Sequence, residues 1–541
     1  MLDVTSRRAI LLLIAVSSLL RLIAAASLGL GNDEAYHFLY AVHPDLSYYD
    51  HPPMLAWVEW VGLAAAGSLF SPIALRSGFI LLAAGSTWLM WRIADRWYGP
   101  RAGFLASLAL NLTGYYGLAA GTFALPDGPL LFFWLLTIDR LSLALRQPGR
   151  VFPWVSVGAA WGCALLSKYH AVFLPAGTVL FLLSHPPMRR WLRSPGPYLA
   201  VGLGMLVFSP VLIWNERNGW VSFLFQGGRA LGGLLPRPDY LATALGAQAG
   251  YLFPWIWIPL LVLLARALRN WKNVARDEER LAVCLALVPF GVFTLVACFR
   301  PVLPHWGLIG LVPLFPALGQ TWERQLERRP TATRRALSIA AAFPVIMLGL
   351  TVLEFRTACF QRAPGQGWGL FTAQRDPTGD LYGWDQVANR LQQLGVLDDP
   401  NTFLFTRTWF QSAHLAHATR MKRPVVCYNV EDPRGFAFWS RPADRVGQDG
   451  ILLIIDDEYM TDAFHRRWFQ SSTLLDDFTV ERSGKPLRRV RAYRLRNQLA
   501  AFPFDFSPER AAARDIIRAG GHPMGPRRTA RRPDEPGRRS G

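Results

Sequence analysis

The chain has 541 residues, 51% of them hydrophobic, with 21 Trp, 33 Phe and a formal net charge of +19. Long apolar runs such as 9–30 and 336–353 exclude an ordinary soluble protein, because a bilayer span needs about 20 apolar residues and a soluble core does not. The positive charge does not point to nucleic acid, since it falls in clusters between the apolar runs, in alternate loops, as the positive-inside rule requires.

Taken in chain order, the apolar runs predict about eleven spans, near 9–29, 72–92, 102–120, 128–146, 152–167, 169–184, 197–214, 244–265, 281–299, 303–320 and 336–354. The fifth and sixth are short and separated only by Ser167, Lys168 and Tyr169, which fits a tight hairpin or tilted helices. Arg7 and Arg8 precede the first run and place the N-terminus in the cytoplasm, with the run retained as a signal anchor. Arginine clusters at 92–101, 140–150, 189–193, 266–280 and 324–335 then mark cytoplasmic loops. An odd number of spans puts everything after Phe355 outside.

The first outward loop, 31–71, carries acids and histidines followed by an apolar stretch, 54–69, expected to lie along the interface. A second outward loop, 215–243, holds Trp220, Phe223 and Phe225 with Arg217, Arg229 and Arg237. After the last span, helical spacing at 384–394 and 409–419 alternates with β-rich runs at 401–408, 424–428 and 451–455. The expected architecture is therefore mainly α: a membrane domain over 1–355, a small outward α/β domain over 356–505, and a basic, Pro-rich tail over 506–541 expected to be disordered. Cys163, Cys284 and Cys298 lie in apolar runs, whereas Cys359 and Cys427 fall where an oxidising compartment permits pairing.

The densest polar constellation is Asn32-Asp33-Glu34-Ala35-Tyr36-His37, followed by Tyr48-Tyr49-Asp50-His51-Pro52-Pro53. Asp33 and Glu34 come directly after the first span, at the expected membrane–water boundary. A carboxylate there can be partly desolvated, which raises its pKa and improves it as a general base. The bland alternative is that both acids cap the helix that follows. Lys168 is the sole cation of a short outward hairpin, suited to a phosphate, though such a lysine can equally snorkel to the headgroups.

These motifs resemble the C-type membrane glycosyltransferases, specifically the protein O-mannosyltransferases (glycosyltransferase family 39) and the aminoarabinose-transferase-like group. Asp33-Glu34 and Asp50-His51-Pro52-Pro53 look like the family's first-loop pattern. Leu125-Pro126-Asp127-Gly128-Pro129, Leu166-Ser167-Lys168-Tyr169 and Pro304-His305-Trp306 follow in order, and Asp432-Pro433-Arg434-Gly435-Phe436-Ala437-Phe438-Trp439 resembles bacterial members.

The resemblance implies an outward-facing cavity, a sugar donor on a polyprenyl phosphate, and single inverting transfer to an envelope acceptor: lipid A or its core, another glycan, a lipid or a protein. It places the catalytic role on Asp33, with Glu34 as its neighbour. Lys168 would hold the donor phosphate, with Arg217, Arg300 and His305 (and Arg229) in support. Asp127, Asp50 and His51 would orient the acceptor. A divalent metal ion near the phosphate is found in part of the group, for which Asp50 and His51 are the nearest candidates; no nucleotide cofactor is expected. The implied location is the bacterial inner membrane, with the C-terminal domain in the periplasm.

Two other classes fit a polytopic chain. A transporter or flippase of lipid-linked sugars would place ionisable residues within spans and use broken helices in paired repeats. A non-enzymatic scaffold would leave the first-loop acids without a task.

Overall fold

In the computed structural model the described residues are 7–230, 235–362, 369–430, 432–456 and 467–504. The basic tail expected to be disordered lies outside them, as does the side chain of Arg229.

The chain is mainly helical. Helix α1 (Arg7–Ser27) is followed by a short α2 (Asn32–Val42), an apolar α3 (Met54–Ala66) and a long α4 (Pro72–Tyr98). Among the described residues six helices are long and apolar enough to cross a membrane: α1, α4, Asp127–Leu145, Pro195–Arg217, Asp277–Ala297 and Pro330–Thr357. Pro238–Leu252 and Pro254–Arg269, bent by 115°, would make a seventh. This is fewer than the eleven expected, and the reason is local. Several apolar runs do not form one continuous helix.

At 102–120 the helix Pro100–Asn111 gives way to a π-helix at Gly114–Ala119. At the 115° bend Phe253 leaves the helical region, with φ 64° and ψ 143°, just before Pro254; the extended ψ is the one a following proline favours. The pair around Lys168 is Pro153–Ser167, one extended residue, a 3-10 turn and Phe173–Ser184.

The C-terminal region carries a five-stranded sheet of β1 (Thr402–Thr406), β2 (Val425–Cys427), β3 (Asp449–Ile455), β4 (Phe469–Arg482) and β5 (Lys485–Gln498). Strand order is β2-β1-β3-β5-β4; the first three run parallel, and β5 pairs antiparallel with both β3 and β4. The helices Trp384–Gln393 and Trp409–Ala418 and the first three strands match the periodicities read from sequence. The β4–β5 hairpin is an addition to that reading. Strand β5 interleaves arginines with apolar residues, and Arg489 and Arg494 pair with Asp477, Asp399 and Asp449 instead of marking a loop. Ser483 and Gly484 close it with φ of 51° and 74°, the paired positive φ of a two-residue hairpin turn. Cys359 forms no disulfide, and its thiol donates to Glu354 at 3.5 Å.

The C-terminal region docks directly on α2. Asn32 donates to Asp380 at 2.8 Å and faces His414 at 3.0 Å, while a side chain at Gly29 would collide with the Leu381 carbonyl.

Candidate functional site

Two adjacent carboxylates at the start of α2 have opposite environments. Glu34 is the third residue of the helix and reaches back to the Gly31 amide at 3.0 Å, one half of a capping box. Its oxygens also take the Ala124 amide at 3.0 Å and two N–H groups of Arg76 at 2.8 and 2.6 Å. The remaining Arg76 donors go to the carbonyls of Ala25, Leu28 and Gly29 at the end of α1. All five guanidinium N–H groups are thereby used, and the orphan carbonyls of a helix C-terminus are satisfied. Burial pushes the Glu34 carboxyl up, but Arg76 and the two amides outweigh it and hold it below the usual range. Asp33 is exposed and accepts no hydrogen bond from the described residues.

Asp50 is buried opposite the same helix. Its Oδ1 accepts from the hydroxyls of Tyr36 (3.1 Å) and Tyr40, and its Oδ2 from Arg434 at 3.2 Å. Burial raises the Asp50 carboxyl, while His51, Arg434 and the Tyr40 hydroxyl bring it below the ordinary carboxylate range. With a guanidinium and two phenols on its oxygens, Asp50 does not suit a divalent ion. Among the described residues no group of three or more His, Cys, Asp and Glu side chains could hold a metal. The His51 ring packs 5.5 Å from that of His37, whose Nδ1 lies 2.9 Å from the Ala124 carbonyl and so carries the proton.

Ala124 is thus held by α2 at both its amide and its carbonyl, three residues before Asp127. Asp127 opens the helix Asp127–Leu145 and meets Lys168 Nζ at 2.7 Å; the two are 3% and 4% exposed. Tyr115, on the π-helix, stacks with the rings of Tyr251 (5.1 Å) and His305 (5.3 Å), and His305 acts electrostatically on Asp127. The structure therefore brings Asp127, Lys168 and His305 together. Arg217 is exposed at the end of its helix, and Arg300 is buried with a donor 3.4 Å from the Gly228 carbonyl. Neither makes an ion pair or hydrogen bond with Asp127 or Lys168.

Sequence reading missed Arg21 and Arg76, both inside predicted spans; ionisable groups are not confined to loops. Arg21 donates to Asn111 at 2.7 Å and to the Gly117 carbonyl of the π-helix at 3.0 Å, supporting the turn that bears Tyr115. A charge within an apolar run was the available signal.

A membrane helix bundle with a polar first loop docked under a C-terminal α/β region is the architecture of the C-type membrane glycosyltransferases, and the chain has that fold. Its structure is similar to that of ArnT from Cupriavidus metallidurans, with a TM-score of 0.60 at 16% identity over 89% of this chain and 97% of that one. The undecaprenyl-phosphate-bound form of that protein gives 0.57 at 18% identity over the same shares. Residues 50–214 match the family model described as dolichyl-phosphate-mannose-protein mannosyltransferase. Lipid A galacturonosyltransferase RgtD of Rhizobium johnstonii is 28% identical over 289 residues, 52% of this chain and 58% of that protein, under two thirds of the relative's length.

Proposed function

We propose that the protein transfers a glycosyl unit from a polyprenyl-phosphate donor to a hydroxyl of an envelope acceptor, at the outer face of a bacterial inner membrane, by one inverting displacement. The observation that carries this reading is the contrast between Asp33 and Glu34. Glu34 has its oxygens taken by four donors, whereas Asp33, one residue earlier, presents an open carboxylate beside the docked C-terminal region.

In the proposed step the acceptor oxygen attacks the anomeric carbon and gives its proton to Asp33. The bond from that carbon to the phosphate oxygen breaks, and the lipid phosphate leaves with the electron pair. Lys168 is suited to the departing phosphate because only one of its three ammonium donors is used by Asp127. A charge-assisted contact in a water-poor site stabilises developing negative charge more than it would in water. Asp127 keeps the buried ammonium neutralised when no donor is bound, with His305 and Tyr115 forming a wall beside it. Glu34 acts as a clamp for α1, α2 and α4, and Asp50 as an anchor for α2.

A glycolipid acceptor of the lipid A type is favoured over protein, on the likeness to the lipid A enzyme. The transport alternative is not favoured: among the charges inside the helices long enough to span, Arg21 and Arg76 are engaged with backbone carbonyls, and Asp139 is paired with Arg92, Arg96 and Arg140.

Mass spectrometry of envelope glycolipids and polyprenyl-phosphate sugars decides the matter. Cells lacking the protein should lose one sugar from one glycan and accumulate its lipid donor. Asp33→Asn should fail to restore the sugar at wild-type protein levels. An unchanged glycan profile in the deletion strain would refute the proposal.

A further inference from the structure

The segment Asp432–Trp439 is singled out by the sequence but has no part in the transfer step above. In the fold it lies along α2. The Gly435 amide donates to the Tyr36 hydroxyl at 3.0 Å, and Trp439 stacks on His43, just past the end of α2, at 5.2 Å with 10° between the rings. A side chain at Gly435 would strike the Trp439 ring, so the turn requires glycine there. Arg434 has a φ of 46°, a conformation that a non-glycine residue keeps only where its surroundings over-determine it. Its guanidinium sits 3.8 Å above the Trp409 ring, 3.2 Å from Asp50 and 3.6 Å from Asp432.

We infer that Arg434 is a positioning residue of the transfer site: it holds Asp50, Asp50 fixes the rotation of α2 through Tyr36 and Tyr40, and α2 sets where Asp33 lies. This rests on the reading of Asp33 given above. At 100° per residue Asp33 and Tyr40 lie within about 20° of one another around the helix, and Tyr36 about 60° away. A helix of 11 residues turns easily unless something grips its side. Glu34 and His37 hold one side of the helix through Arg76 and Ala124, and the pair of phenols converging on Asp50 Oδ1 grips another.

Arginine is needed for more than docking. A buried ion pair adds little net stability over an apolar contact, whereas a guanidinium that stacks and donates at once dictates orientation. The C-terminal region then contributes to the reaction centre through α2, not only to acceptor choice.

The test uses Arg434→Met and Arg434→Lys in the full-length protein. Two readouts are taken, each per folded molecule: sugar added to the envelope glycolipid at limiting expression by the Arg434 variant with Asp33 intact, and the maleimide labelling rate of a separate chain that carries Asp33→Cys beside the Arg434 substitution. Misplacement by about 1 Å can cost about 100-fold, so Arg434→Met should lower transfer by about tenfold or more. It should also change the labelling rate at position 33 while leaving undecaprenyl-phosphate binding at wild-type affinity. Arg434→Lys, which keeps the ion pair but not the stacked fork, should fall between.

Wild-type transfer and unchanged labelling in Arg434→Met would overturn the inference. If Arg434→Met does not fold, the same two readouts on Arg434→Lys decide. If even the wild type alters no glycolipid, the transfer reading fails separately, and the labelling rate alone decides whether Arg434 positions residue 33.

Discussion

The carboxylate of Glu34 and the guanidinium of Arg76 meet at 2.6 Å in a fully buried pair that ties the end of α1 to α2 and α4. Removing one partner of such a pair leaves an uncompensated buried charge and costs about 3–5 kcal/mol. Glu34→Gln should therefore lower the yield of folded protein and its Tm in detergent before any effect on chemistry is measured. A variant with wild-type Tm would show that Glu34 is free for catalysis after all.

Asp33→Asn should behave in the opposite way. The side chain is exposed and accepts no hydrogen bond from the described residues, so stability should change by no more than about 0.5 kcal/mol. Loss of a general base costs about 10²–10⁴ in rate. Transfer should fall by that factor in membranes holding equal amounts of folded protein. Full activity would move the proton acceptor elsewhere.

For Asp127 and Lys168 a paired substitution separates structure from function. Lys168→Met or Asp127→Leu alone strands a buried charge, at a cost of about 3–5 kcal/mol. The double variant removes both charges and should recover folded yield. It should not recover undecaprenyl-phosphate binding, because the cation proposed for the phosphate is gone. Recovery of binding would reduce Lys168 to a structural partner of Asp127.

The docking of the C-terminal region on the first loop should weaken in acid. Burial pushes His417 down to about 4, where it packs edge-on against Phe38 at 5.0 Å, and burial holds His414 below its ordinary value as well. The unfolded chain takes up the His417 proton near pH 6.5, and the native state does so only near 4. The stabilisation is thus complete above about pH 6.5 and is lost as pH falls towards 4, at about 1.4 kcal/mol per pH unit at most. Tm measured across that window should fall, and His417→Phe should flatten the slope. An unchanged slope in that variant would assign the effect to other groups.

The sequence by itself determined the membrane class, the mainly helical fold and the family likeness, because these rest on local quantities: unbroken apolar runs, loop charge, and short motifs in fixed order. It also located the first helices and strands of the C-terminal region, whose apolar periodicities are intact. It could not count continuous spans, since the π-helix at Gly114–Ala119 and the non-helical Phe253 interrupt apolar runs without changing their composition. Apart from the family resemblance, which put the catalytic role on Asp33, the local pattern could not separate Asp33 from Glu34. Neighbouring residues of a helix point about 100° apart, and only packing decides which of them meets Arg76, 42 residues away, and which faces solvent. Arg434 reaches Asp50 across 384 residues, a contact that no local pattern encodes. Hydropathy and motif order are written along the chain, whereas desolvation and hydrogen bonding depend on what the folded chain brings together.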